Sequence, residues 1–289
     1  MQLIKAIQRP RFLWTCDLLG LSPGQAIEDQ NPAYDRTQYR LIASGLFDHI
    51  FLRTQNCIET VVSRGWAKRE HCSILSSGFD PGFHRPRPEI EKDIDVLFLA
   101  AFTPRRRQIV DFARKYHPIQ TASAYGADMV SFINRAKIVL NIHRGPLPDT
   151  ENRVHEVLGC GAFLLTEQLP PEDPFSERDL VQFSSAEDMV EKIGYYLTHD
   201  EEREAIARRG HETALEGHTY MHRACQVIET MSKYTPSNDS DINNEPMLKR
   251  DRDLYRYAIS EYGQGLKTHI WGTLYKYKSI FASFARSNG

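Results

Sequence analysis

Residues 136–167 (AKIVLNIHRGPLPDTENRVHEVLGCGAFLLTE) constrain the fold more tightly than any other part of the chain. Ile138, Val139, Leu140 and Ile142 form an apolar run too short for most helices and rich in β-branched residues. That predicts a strand buried in a parallel sheet. Gly145, Pro146 and Pro148 break the chain directly afterwards. Asp149, Thr150 and Asn152 then offer helix caps, and Val154, Val157 and Leu158 recur at helical spacing. Gly159 and Gly161 predict the end of that helix, and Phe163, Leu164 and Leu165 open the next strand. The polar residues therefore gather where strand ends meet a helix start. In an open α/β sheet ligands bind there, because backbone N–H groups and the helix dipole point into the crevice.

The same alternation runs through most of the chain. Strands are expected at 12–16, 48–52, 72–75, 96–101, near Ile119 and at 180–183; helices at 39–42, 54–63, 104–115 and 128–134. Such alternation predicts right-handed βαβ units and parallel sheets. Residues 77–88, dense in Gly and Pro, read as a linker. From 186 to 233 the pattern is helical, with Gly210 and Gly217 as the expected breaks. Residues 235–245 (TPSNDSDINNE) are polar and read as a flexible connection to a last helical stretch.

Composition removes several classes of function. A formal net charge of −2 gives no general electrostatic footprint for nucleic acid, so none is expected as a partner. The five cysteines are scattered and contain no CxxC pair, which fits a reducing cytoplasm better than a disulfide framework or structural zinc. The start MQLIKAIQRPRF has no long apolar core of a secretion signal, and no apolar run approaches the roughly twenty residues of a spanning helix. A cytoplasmic protein is expected.

Four stretches carry a family resemblance: DVLFLAAFTPRRRQIVDF (95–112), YGADMVSFINRAKIVLNIH (125–143), ENRVHEVLGCGAFLLTE (151–167) and EDMVEKIGYYLTHDEEREAIARRGHE (187–212). In this order they resemble the CgeB-like, group 1 glycosyltransferases. LWTCD, FDHIFLRTQNCIETVVSRG and SSGFDP look like the last units of that family's amino-terminal domain, whose earlier strands are missing here. The resemblance implies an α/β protein of the two-domain GT-B fold. Residues 1–85 would be a partial, acceptor-side Rossmann-like domain and 86–235 the nucleotide-sugar domain, followed by a linker and helical tail at 236–289. It implies transfer of a sugar, of hexosyl type, from a nucleoside diphosphate sugar to an unknown acceptor.

A donor of that kind needs cations and helix-start amides for its diphosphate and a carboxylate for its ribose. Thr103 and Arg107 lie just after a strand, and the resemblance puts the family's arginine at Arg107. Arg153 offers a second guanidinium, and Glu156 matches the ribose-binding glutamate of related GT-B enzymes. Gly161 would let the backbone approach closely. Asn141, His143, Thr166 and Glu167 end two strands at the same crevice, and Tyr125 could flank the base. The arginines of 105–107 are cations at a helix start, where they oppose the dipole, which favours a bound anion.

For catalysis, Arg153 and Arg107 would stabilise the departing diphosphate, with His143 beside them and Asp17 as the base of an inverting reaction. No metal or other cofactor is expected, since GT-B enzymes generally use such cations and there is no DxD-type motif in place. His211, His218 and His222 have helical spacing but no accompanying Asp or Cys ligand set. Many retaining relatives carry two glutamates eight positions apart; the position eight before Glu156 is Pro148, so retention or inversion stays open. The shortened amino-terminal region keeps a second reading alive, a non-catalytic or degenerate GT-B-like module that binds nucleotide sugars or serves structurally. In the tail, Leu266, Ile270, Leu274 and Tyr277 share a helical face among lysines. Residues 266–286 could dock on the protein or rest weakly on an anionic membrane surface. The oligomeric state is left open.

Overall fold

We describe the protein from a computed structural model covering residues 10–15, 35–146 and 148–234, with residues 35–38 as backbone only. All belong to the first of the two units into which the chain divides, Leu3–Thr235 and Pro236–Gly289. The expected connection at 235–245 and the apolar face of 266–286 lie outside the described residues.

Each apolar run followed by a helical repeat becomes a strand of a parallel sheet. The first sheet has the order β1–β2–β3, from Phe12–Trp14, His49–Leu52 and Cys72–Ile74. Helix α1 (Asp35–Ile42) precedes β2 and α2 (Gln55–Ser63) follows it. Thr54 starts α2 by accepting a hydrogen bond from Cys57 N, a Thr cap of the usual kind. Ile50 and Leu52 turn one way, onto Tyr39, Ile42, Ile58 and Val61. Phe51 turns the other way, toward Phe12.

The second sheet has five parallel strands in the order β5–β4–β6–β7–β8: Ile94–Leu99 (β4), Gln120–Ala122 (β5), Ala136–Asn141 (β6), Leu164–Glu167 (β7) and Val181–Phe183 (β8). Helices α3 (Pro104–Ala113), α4 (Gly126–Arg135) and α5 (Asn152–Gly159) make the crossovers. Both faces are covered, which explains why β4 and β6 read as near-continuous apolar runs. On one face Leu97, Val139 and Leu164 pack with Met129, Val130 and Ile133 of α4 and Val154, Val157 and Leu158 of α5. On the other, Phe98, Ile138, Leu140 and Leu165 meet Val110 of α3 and Met189 and Ile193 of α6 (Ala186–Thr198).

The end of α5 is a Schellman motif. Gly161 N donates to Leu158 O, Ala162 N donates to Val157 O, and Gly161 has φ +65°. Two sequence expectations are corrected. Gly159 does not stop α5; it is its last residue, bare because a Cβ would come within 2.4 Å of the Phe79 ring. Gly210 breaks nothing. It lies inside α7 (Asp200–Gly217), where a Cβ would sit 2.2 Å from Asp179 O. The break falls instead at His199, between α6 and α7.

Helix α8 (Tyr220–Ser232) follows the second sheet in sequence but packs on the first. Gln226 donates to Ile74 O, and the Tyr234 hydroxyl just beyond it bonds His49 Nδ1. Two chain crossings join the sheets side by side, bridged at Phe79 and Thr219, with Tyr220 N donating to Phe79 O at 2.9 Å. No helix among the described residues is long and apolar enough to cross a membrane.

Candidate functional site

The chain leaves β4 for β5, then crosses back over β4 to form β6. The crevice of such a sheet lies outside the carboxyl ends of the two strands where direction reverses, here β4 and β6. Helices α3 and α5 both start there.

At the start of α3, Thr103 caps its own helix by accepting from Arg106 N at 3.2 Å. The three arginines that follow take three directions, as the 100° step between helical residues requires. Arg105 forms a two-pronged pair with Glu167 and donates to His143 O at 3.0 Å. Arg106 is 7% exposed and saturated: Nε donates to Ile142 O, Nη1 to Ala101 O, and Nη2 to both Glu151 oxygens at 2.9 Å. Only Arg107 is exposed, its guanidinium 4.4 Å from the centroid of the Phe102 ring. The cations at this helix start are therefore answered largely by the protein's own carboxylates.

The strand ends are equally self-contained. Asn141 Nδ2 donates to Thr166 Oγ1 at 3.0 Å, and both residues are buried. Glu167 accepts from His143 N at 2.6 Å besides holding Arg105. His143 Nε2 lies 2.9 Å from Gln168 O, so it carries the proton; Nδ1 is left as a buried acceptor with no hydrogen-bond partner among the described residues.

Helix α5 begins differently. Neither Asp149, Thr150 nor Asn152 is its cap. Glu151 occupies that position, but its carboxylate holds Arg106 and Arg144 N and gives no bond to its own helix. Val154 N turns back to Glu151 O, while the amides of Asn152 and Arg153 find no acceptor among the described residues. One face of α5 carries Arg153 and Glu156, paired at 3.0 Å and both partly exposed. His84 from the linker is near them; burial lowers its pKa, partly offset by the Glu156 charge. The same burial and the Glu156 charge push the Cys160 thiol up to about 12, so this thiol is a neutral filler rather than a nucleophile. The opposite face carries His155, wholly buried, with neither ring nitrogen bonded among the described residues. Burial holds its pKa well below the usual value, aided by Arg223, His218 and Arg53.

Of the other residues expected at the site, Tyr125 precedes α4 and is 74% exposed, beside an open pocket of about 500 Å³ that includes Asp128, Phe132 and Arg135. Gly161 lies past the far end of α5, in the turn, where a Cβ would meet Pro86 at 2.9 Å. Asp17 lies outside the described residues. The three histidines of the helical region are each engaged locally: His211 with Leu158 O, His218 with Arg223, and His222 in the capping box of α8. No group of three or more side chains suited to a metal ion occurs among the described residues.

Sequence reasoning missed the contribution of the first sheet. Arg53, just after β2, pairs with Asp149 at 2.7 Å and donates to Thr150 O at 2.7 Å, all buried. Ser77 donates to Asn152 Oδ1, and Gln55 N donates to Glu172. A basic residue at a strand end was the visible signal; its partner, far along the chain, was not.

Residues 105–229, which run from the first arginine of α3 into α8, match the family model described as Glycosyl transferase-like. The chain is also similar to the spore protein CgeB of Bacillus subtilis (strain 168), 29% identical over 103 residues. That alignment spans 32% of this chain and 32% of CgeB, so the chain matches about a third of that relative's length. Among solved structures, Anabaena HepE in complex with UDP and glucose superposes with a TM-score of 0.61 at 14% identity, over 78% of this chain and 72% of HepE. Sucrose-phosphate synthase from Thermosynechococcus elongatus gives 0.57 at 11%, over 80% and 69%. A glycosyltransferase from Rickettsia africae gives 0.54 at 10%, over 72% and 69%. At such identities the likeness is one of fold. Two parallel sheets flanked by helices place residues 10–234 in the GT-B fold of these structures.

Proposed function

We propose that the protein transfers a sugar, of hexosyl type, from a nucleoside diphosphate sugar to an acceptor. The observation that carries this reading is the open start of α5. Two amides without acceptors among the described residues lie at the positive end of a helix, and the guanidinium of Arg153, in the same turn, pairs with Glu156 one turn further on. A diphosphate suits the amides and Arg153, and a ribose suits Glu156, whose carboxylate can accept from two hydroxyls. Arg107 supplies a second exposed cation, and Tyr125 a ring for the base. HepE was crystallised with UDP and with UDP-glucose, which supports a donor of this class here. In this reading Arg153 and Arg107 take up the charge that develops on the departing diphosphate. The free Nδ1 of His143 accepts from a sugar hydroxyl after a small movement, and Asp17 is the candidate base. No step calls for a metal ion.

The test is calorimetric binding of a panel of nucleoside diphosphates and their sugars, with Arg107→Ala, Arg153→Ala and Glu156→Ala alongside. One nucleotide class should bind, and each variant should bind it more weakly. A well-folded sample that binds none of the panel would remove the donor site. A second reading, a binding module without transfer, draws on the internal bonding of Asn141, Thr166 and Glu167, which leaves few free polar groups at the strand ends. Slow hydrolysis of the bound nucleotide sugar without acceptor, lost in Asp17→Asn or Arg153→Ala, would decide for transfer.

A further inference from the structure

The start of α5 is formed by the second sheet but held by the first. Arg53 reaches across from the loop after β2 and takes both Asp149 and the carbonyl of Thr150, the two residues before the N-cap Glu151. Both side chains of the ion pair are more than nine-tenths buried, at 8% and 9% exposed, so the pair is little screened by solvent. The planar guanidinium fixes direction as well as charge, since two separate nitrogens serve two successive residues. Thr150 is fixed from its other side by its hydroxyl, which donates to Asp173. Nothing in α5 itself does this work, because Glu151 gives its helix no cap bond.

We propose that Arg53 is a positioning residue for the donor site, setting the direction of the free α5 amides and so coupling the first sheet to donor affinity. It need touch no substrate to do so. The inference rests on the donor-site reading above. It adds that the acceptor-side sheet tunes the site through one buried guanidinium, so that any motion opening the junction between the sheets also releases the start of α5.

The experiment uses the full chain with Arg53→Met, which keeps the apolar stem, Arg53→Lys, which keeps the charge, and Asp149→Asn. Hydrogen exchange is followed by mass spectrometry in peptides covering 149–158, whose amides from Val154 on are bonded within α5, and, for comparison, 94–99 in β4, with UDP affinity measured by calorimetry. Arg53→Met should speed exchange of the bonded amides in 149–158 about tenfold or more while leaving β4 unchanged, and weaken UDP binding about tenfold. Arg53→Lys should recover part of both effects, and Asp149→Asn should resemble Arg53→Met. Gln226→Ala removes a bond between α8 and the first sheet without touching this region, and should change neither readout. Exchange that rises equally in both peptides, or in neither, would overturn the proposal, as would unchanged UDP affinity beside a loosened 149–158. If the unaltered protein binds no nucleoside diphosphate, the donor-site reading falls, and exchange alone then decides whether Arg53 orders this helix start.

Discussion

Two helices start at the same crevice, and they are built in opposite ways. Helix α3 caps itself with Thr103 and presents three arginines, two of which are closed off by Glu151 and Glu167. Helix α5 has no side-chain cap of its own, leaves two amides open, and is held from outside by Arg53. The closed start is a girder that ties β4, β6 and β7 together; the open one is the start at which we propose the donor binds. Charge alone does not mark a binding site. What marks it is polar capacity the protein leaves unused.

That contrast can be broken most forcefully at Arg106. Removing its guanidinium strands a largely buried carboxylate and two carbonyls, so Arg106→Met should cost about 3–5 kcal/mol in urea unfolding. A loss under 1 kcal/mol would mean that the closed start is no girder. Arg107, one residue on, should behave in the reverse manner. Arg107→Ala should leave stability within about 0.5 kcal/mol and lower nucleotide affinity by about 1.5–3 kcal/mol, the range of a hydrogen bond to a charged group. Equal effects of the two variants on stability would erase the distinction between them.

The other end of α5 sharpens the comparison further. Gly161→Ala puts a side chain at φ +65° and against Pro86, so thermal unfolding should show a loss of about 1–2 kcal/mol while nucleotide affinity stays as it was. A selective loss of affinity would return Gly161 to the binding site. The smallest expected effect concerns acid. Burial holds His218 down to about 4 from 6.5, and His155 well below its ordinary value. The unfolded chain takes up both protons as pH falls past 6.5, whereas the folded protein takes up that of His218 only near 4 and resists that of His155. The stability both groups contribute is therefore full above 6.5 and drains away as pH falls below it. Replacing His155 by Phe removes one of the two uptake sites, so melting midpoints measured from pH 7 to 4 should fall less steeply. An unchanged slope would exclude His155 from the acid response.

Much of the fold was legible because parallel strands buried on both faces leave an unmistakable apolar run, as at Val96–Leu99 and Ile138–Leu140. The crevice was legible too, since it follows from where those runs end. Which polar residue does what was not. The sequence RRR looks uniform, yet helix phase sends one guanidinium to Glu167, one to Glu151 and one to solvent. Nothing near Glu167 in sequence shows that Arg105, 62 residues away, holds its carboxylate. Arg53 and Thr150 are 97 residues apart, beyond any local pattern. His155 did leave a trace: it is a polar residue in the apolar stripe of Val154, Val157 and Leu158.

The return of α8 to the first sheet carries a consequence for how the molecule is made. The five strands of the second sheet are complete once Phe183 has been synthesised, and their neighbours in sequence are mostly neighbours in space. The first sheet waits longer. His49 meets Tyr234 only after 185 further residues, and Ile74 meets Gln226 after 152. Such long closures add little to the free-energy cost, which grows only with the logarithm of length, but they slow assembly. On the ribosome, the first sheet emerges before the second and is finished after it, and Phe12 and His49 stay without their aromatic neighbour Tyr234 until the end of this unit arrives.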